Sequence, residues 1–222
     1  MKRAFLAAAL AIGAWIGTAH AATVVDTGEP PGGLGFAGTS LATYQFLAGR
    51  FTTTEAFKIT ELSAFVGNYS CCSSIPITQE MTLSIASGPA DPLGATFTRL
   101  VSAETSLSMG SGTVDWATAT VADYLLAPGM YWIIASVEPG QDSFGLAMPR
   151  GAPNPLDAFA FWGDTSLDPG NYIWRPDPNQ NAHGFRIEGD LVQSVPEPGG
   201  LALFGLGLAA ILMQCRRNRP VA

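Results

Sequence analysis

Apolar and polar residues alternate with a period of two through most of the chain. Tyr44, Phe46 and Ala48 alternate, Phe51, Phe57 and Ile59 follow, and Leu62, Ala64 and Val66 resume the pattern one residue out of step. A slip of one residue turns every later side chain to the opposite face, so the spacing predicts a bulge or bend at Thr60-Glu61. Met81, Leu83 and Ile85 mark a half-buried strand, Thr96 to Val101 a weaker one, and Val114 to Val121 and Tyr124 to Leu126 come next. The run Met130 to Val137 is apolar at successive positions. That pattern belongs to a strand covered on both faces, hence a central one. Phe144 to Met148, Phe159 to Trp162, Tyr172 to Trp174 and Phe185 to Glu188 complete the series. Gly88 to Pro92, Gly110 to Gly112 and Pro128-Gly129 supply turns between them. No stretch holds a 3.6-residue period over three turns. About eight to ten short strands with turn signals between them predict an all-β fold, an antiparallel β-sandwich.

Two stretches at the ends depart from this pattern. Lys2 and Arg3 precede an uncharged apolar stretch, Ala4 to Gly17, and Ala19-His20-Ala21 is a small-x-small cleavage site. Residues 1–21 therefore read as a signal peptide, with the mature chain beginning at Ala22. At the other end, Pro196-Glu197-Pro198 precedes Gly199 to Met213, which has no charged or polar side chain, and Arg216, Arg217 and Arg219 follow. Prolines disfavour helix in the residue before them, so a helix starts only past Pro198. Extended to Cys215, residues 199–215 make an apolar helix of about 17 residues, at the short end of what crosses a hydrocarbon core. A core helix would carry a polar stripe every turn, and this one carries none. The three arginines keep its end on the cytoplasmic side. Cys215 beside them reads as a small apolar filler before it reads as a lipidation site. Between the ends, residues 22–194 form one domain large enough to bury a core.

The tripartite tail, residues 195–219, closely resembles the PEP-CTERM sorting signal of bacterial exported proteins. Pro196, Glu197 and Pro198, the apolar run and the cluster Arg216, Arg217 and Arg219 carry the resemblance, which covers about an eighth of the chain. It implies export through the Sec machinery, transient membrane anchoring by the C-terminal helix, and recognition by an exosortase. That enzyme is a membrane transpeptidase-like cysteine enzyme, held to cut near Pro-Glu-Pro and to release or re-attach its substrate at the cell surface. The resemblance also implies a Gram-negative bacterium and a surface or extracellular destination. The strand Met130 to Val137 and the last strand, Gly184 to Gly189, more loosely resemble the β-sandwich ectodomains attached to such tails. This supports a jelly-roll-like fold, which hosts lectins, matrix proteins and enzymes alike.

Charge narrows the partners. Residues 22–194 hold six Lys and Arg against 17 Asp and Glu, a net charge of −11. Such a surface repels nucleic acid and anionic lipid, and no basic patch is present. Gly33 to Gly38 spells G-x-G-x-x-G, but without a strand before it or a helix after it the dinucleotide reading fails. Cys71 and Cys72 are adjacent, and the domain holds no third cysteine. Export favours oxidation, so a vicinal disulfide ranks ahead of free thiols and of a link to another chain. His183, the one histidine of the mature chain, follows Asn179-Gln180-Asn181 and reads as a hydrogen-bonding residue near a strand end. No Gly-x-Ser-x-Gly elbow accompanies it.

Asp157, Asp164, Asp168 and Asp177 are the acids from which a glycosidase pair would be drawn; that chemistry needs two carboxyls about 5 to 10 Å apart across a cleft. Asp164, Asp168 and Asn171 lie in the loop that is the best candidate for a hard cation such as calcium, although the spacing is not that of an EF-hand. Trp162, Tyr172 and Trp174 flank it. Aromatic platforms beside amides and acids suit sugar rings, and core packing is the competing use of the same side chains. The reading is a non-catalytic, exported surface or matrix protein associated with exopolysaccharide, needing no cofactor. A carbohydrate-binding, lectin-like module is the alternative and a glycan-acting enzyme a third.

Overall fold

The computed structural model describes residues 21–31, 38–42, 45–69, 77–93, 96–137, 145–153, 156–164, 172–177 and 181–192. Twelve strands run through them: β1 (Ala21–Asp26), β2 (Gly38–Ser40), β3 (Gln45–Thr53), β4 (Phe57–Asn68), β5 (Ile77–Ser87), β6 (Thr98–Met109), β7 (Val114–Leu126), β8 (Gly129–Ser136), β9 (Leu146–Pro149), β10 (Ala158–Asp164), β11 (Tyr172–Pro176) and β12 (Phe185–Leu191). Every pairing between them is antiparallel. Residues 1–20 of the expected signal peptide, the expected apolar helix at 199–215, the sorting motif and the Cys71-Cys72 pair lie outside the described residues. Among the described residues no helix is long and apolar enough to cross a membrane.

The strands form two six-stranded sheets. In the first, β4 is the hub: β7 pairs along one edge, and β12 and then β9 share the other. β12 carries β1, and β9 carries β2. The second sheet has the order β11-β10-β3-β8-β5-β6. The chain crosses between sheets at eight of its eleven connections, so β1-β12-β4-β7 faces β3-β8-β5-β6, the route of a jelly roll with β10 and β11 extending one sheet. Period-two patterning feeds the space between the sheets. Leu83 and Ile85 of β5, Ile133 and Ala135 of β8, Leu62 and Ala64 of β4, and Phe185 and Ile187 of β12 meet in one cluster of buried side chains.

The slip at Thr60-Glu61 is a real irregularity. Relative to β12, Thr60 is one extra residue between Ile59 and Glu61. Relative to β7, three residues stand opposite it, and one of them, Asp123, takes a positive φ of 33°. Opposite the bulge, a Cβ on Gly189 would come within 2.7 Å of the Lys58 carbonyl oxygen, so the close approach of β12 to β4 requires glycine there.

β8 lies between β3 and β5, as its two-sided apolar run requires. Its outer face is covered too. Trp132 and Ile134 join Phe46, Ala48, Ala86, Ala160 and Trp174 in a second cluster on the far side of the sheet. The β5–β6 connection folds over this face. Phe97 packs edge-on against both Trp132 and Trp174, with centroids 5.1 and 4.6 Å away, and Trp132 Nε1 donates to the Pro89 carbonyl at 3.1 Å.

The sheet edges are short, irregular or joined. β2 has three residues, and β1 is bulged at Val24. β11 ends on Pro176. β6 and β7, edge strands of different sheets, approach each other, and Thr105 Oγ1 donates to the Thr118 carbonyl at 2.7 Å.

Candidate functional site

The residues singled out for sugar and cation binding fall on the β10–β11 hairpin and the loop it closes. Trp162 stands opposite Trp174 in the strand register, and Asp164 opposite Tyr172. The hairpin therefore brings four of the six candidates to one end of one sheet. Asp168 and Asn171 lie outside the described residues. Trp174 corrects the aromatic-platform expectation. It is 8% exposed and packs on Phe97, so its ring belongs to the outer-face cluster and is not open to a sugar. Inside/outside alternation alone could not reveal this, because the covering residue comes from a turn some 80 residues away. Among the described residues no group of three or more His, Cys, Asp or Glu is placed to hold a metal ion.

His183 sits where its flanking residues suggest, at an isolated bridge to Arg150 just before β12. It is 1% exposed. Nδ1 lies 3.1 Å from the Pro149 carbonyl, which fixes the Nδ1–H tautomer, and Nε2 has no hydrogen-bond partner among the described residues. Burial pushes its pKa down to about 4. The Pro149 contact and the Asp177 carboxylate oppose the shift, and Arg150 adds to it. The imidazole is thus neutral in neutral solution. The Phe159 ring stands edge-on at 6.5 Å.

Next to His183 in sequence, Ala182 lines a cleft of about 350 Å³ with Leu156, Asp157, Phe159, Pro176 and Asp177. Two of the four acids considered for glycoside chemistry thus share one cleft. Their situations differ. Asp157 is exposed, lies 4.0 Å from Arg50 Nε and accepts from Thr52 Oγ1 at 3.4 Å. Asp177 is buried and accepts from Asn181 Nδ2 at 2.8 Å. A second cleft, of about 290 Å³, is bordered by Ser40, Leu41, Ala42, Tyr69 and Gly145 to Ala147. Burial raises the Tyr69 pKa, partly offset by Arg150, and a Cβ on Gly38 would collide with the Tyr69 ring.

A charged cluster on the outer face of the first sheet was not anticipated. The Arg186 guanidinium lies 4.4 Å from the centroid of the Trp116 ring and pairs with Asp26 at 3.3 Å. Trp116 Nε1 donates to Glu29, and its ring meets Phe65 edge-on at 5.2 Å. These residues come from β1, β4, β7 and β12 and the segment after β1, and no local motif links them.

Comparison with known families gives one match. Residues 194–217 match the PEP-CTERM protein-sorting motif. They include Pro196, Glu197, Pro198, Arg216 and Arg217; Arg219 lies just beyond. The chain therefore carries this sorting motif, which implies export, cell-surface sorting and processing by an exosortase. No curated protein matches the chain.

Proposed function

We propose that this is a non-catalytic, exported surface or matrix protein: an acidic β-sandwich carried to the cell exterior by a signal peptide and held transiently in the membrane by residues 199–215. One observation carries the reading. The sorting motif at 194–217 begins three residues after β12 closes the sandwich at Leu191. A folded domain followed at once by a sorting tail suits a protein whose role is to be displayed. The net charge of −11 on residues 22–194 argues against nucleic acid and anionic lipid as partners of the displayed domain. The test is cell fractionation with intact-mass measurement of the mature protein. The reading expects a chain starting at Ala22, shortened near Pro196 to Pro198, in the surface or extracellular fraction. A cytoplasmic chain of full mass would overturn it.

The second reading is a weak carbohydrate-binding module for the cell's own exopolysaccharide. It is favoured by the register that sets Trp162 and Tyr172 beside Asp164 at one hairpin end. Calcium held by Asp164, Asp168 and Asn171 would bridge an anionic polysaccharide. A single site of this kind binds no tighter than about 0.1 to 1 mM, and adhesion comes from many tethered copies. Titration of exopolysaccharide into the soluble domain, with and without chelator, decides it. No binding at millimolar sugar leaves the structural reading standing.

A further inference from the structure

The bond between Ala21 and Ala22, where the leader is read to be cut, lies inside β1. Ala21 is in register with Asp190 of β12, Ala22 with Gly189, and Thr23 with Glu188. The pairing is reinforced past the end of the strand. Thr27 is fully buried, its Oγ1 accepts from the Phe185 amide at 2.8 Å, and its own amide donates to the Phe185 carbonyl at 3.1 Å. Among the described residues β12 is the only strand β1 pairs with, and β12 is also the strand that joins β1 to β4. The first strand of the domain therefore has no partner until its last strand arrives.

We propose that docking of β12 closes the leader-cleavage site, so that removal of the leader must precede completion of the fold. This rests on the export reading above. A protease needs its target segment extended and free, and it cuts a folded chain only from a locally opened state. A chain threaded outward from its N-terminus exposes Ala21-Ala22 first and β12 last. Throughout that interval β1 is unpaired and open to the peptidase. Once residues 185–191 emerge, β1 is taken up, and the bond is reached only through fraying of an edge strand. The order of events is then leader removal, closure of the sandwich by β12, and recognition of the tail that begins a few residues later. Closure also sets the new N-terminus against β12 itself, because Ala22 and Gly189 are register partners.

The test uses the full chain in cells, with a reversible inhibitor of leader peptidase. Chains synthesised under inhibition are allowed to complete, the inhibitor is washed out, and cleavage is timed against that of nascent chains. Cleavage at least about tenfold slower after washout is expected. The variant Ile187→Asn, which places an amide in the core under β12, should restore fast cleavage after washout. Equal rates for completed and nascent wild-type chains would overturn the proposal. So would slow cleavage of Ile187→Asn, since the delay would then come from something other than β12. N-terminal sequencing separates the two layers. A mature protein that begins elsewhere than Ala22 refutes the leader assignment itself, whereas a start at Ala22 with unchanged timing refutes only the ordering.

Discussion

Trp132 shows how much a single side chain ties together. It is fully buried, stacks edge-on with Phe97 and donates to the Pro89 carbonyl, so it fastens the β5–β6 connection to the outer face of its sheet. Trp132→Ala should cost about 3 to 5 kcal/mol, read as a fall in the denaturation midpoint of the 22–194 domain. Thr27 acts through one hydroxyl. Thr27→Val keeps the shape but leaves the buried Phe185 amide without its acceptor, a loss of about 1 to 3 kcal/mol by the same measurement. His183 makes stability depend on pH. The unfolded chain takes up a proton near pH 6.5, whereas the folded chain resists until about pH 4. Between these values the unfolded state binds more protons, so stability is fully present above pH 6.5 and falls as the pH drops through 4. The total is about 3 kcal/mol from a gap of roughly two and a half pKa units. His183→Gln should flatten the difference between melting temperatures at pH 7.5 and pH 4.5 relative to wild type.

At the scale of strands, the sequence was legible where one face is buried and the other wet. Ala117, Ala119 and Val121 alternate with exposed positions because β7 packs on the opposing sheet by one face. β5, expected to be half-buried, is covered on both faces instead, with Thr82 and Ser84 buried between Met81, Leu83 and Ile85. The break at Thr60 announced the bulge. The two-sided run of β8 announced a central strand. Besides the three-residue β2, three things escaped. β6 runs on to Met109, well past the expected end at Val101; Ser102, Glu104, Ser106 and Ser108 occupy its exposed face, but Ala103 and Thr105 on the other face are too small or polar to mark it as apolar. β7 continues from Val114 to Leu126 as one strand through a bulge at which Asp123 turns to positive φ, where alternation alone suggested two. β1 was hidden because Ala-Ala-Thr-Val-Val is short and adjoins the leader, and its partner lies some 165 residues away. The same non-locality explains the site. Alternation can rank Trp174 as an aromatic on a strand, but only the fold places Phe97 on it. Gly189 tests the account of the bulge. Gly189→Ala drives a methyl group toward the Lys58 carbonyl, and displacement of β12 should cost about 1 to 3 kcal/mol, with faster hydrogen exchange confined to β1 and β12.

For the whole molecule, the described domain and the sorting tail obey different physics. The domain is held by apolar contact between two sheets, whereas the tail is read by its order of proline break, apolar run and basic end. Replacing Arg216, Arg217 and Arg219 together with Gln should leave the melting temperature of the domain unchanged and misplace the tail, because the positive-inside bias is lost. Protease accessibility and fractionation of the triple variant check this; wild-type behaviour would remove the orientation argument.

The unobtrusive edges of the sheets matter most where many copies stand side by side. Display on a cell surface raises local concentration far above that of a dilute solution, and an open strand edge there is a template for endless stacking. Here β2 is too short to template a neighbour, Val24 kinks β1, Pro176 withholds a donor from β11, and Thr105 draws β6 onto β7. A dense coat of such domains can therefore stay a fluid array of separate particles, in which each molecule keeps its own boundary and fibres do not seed.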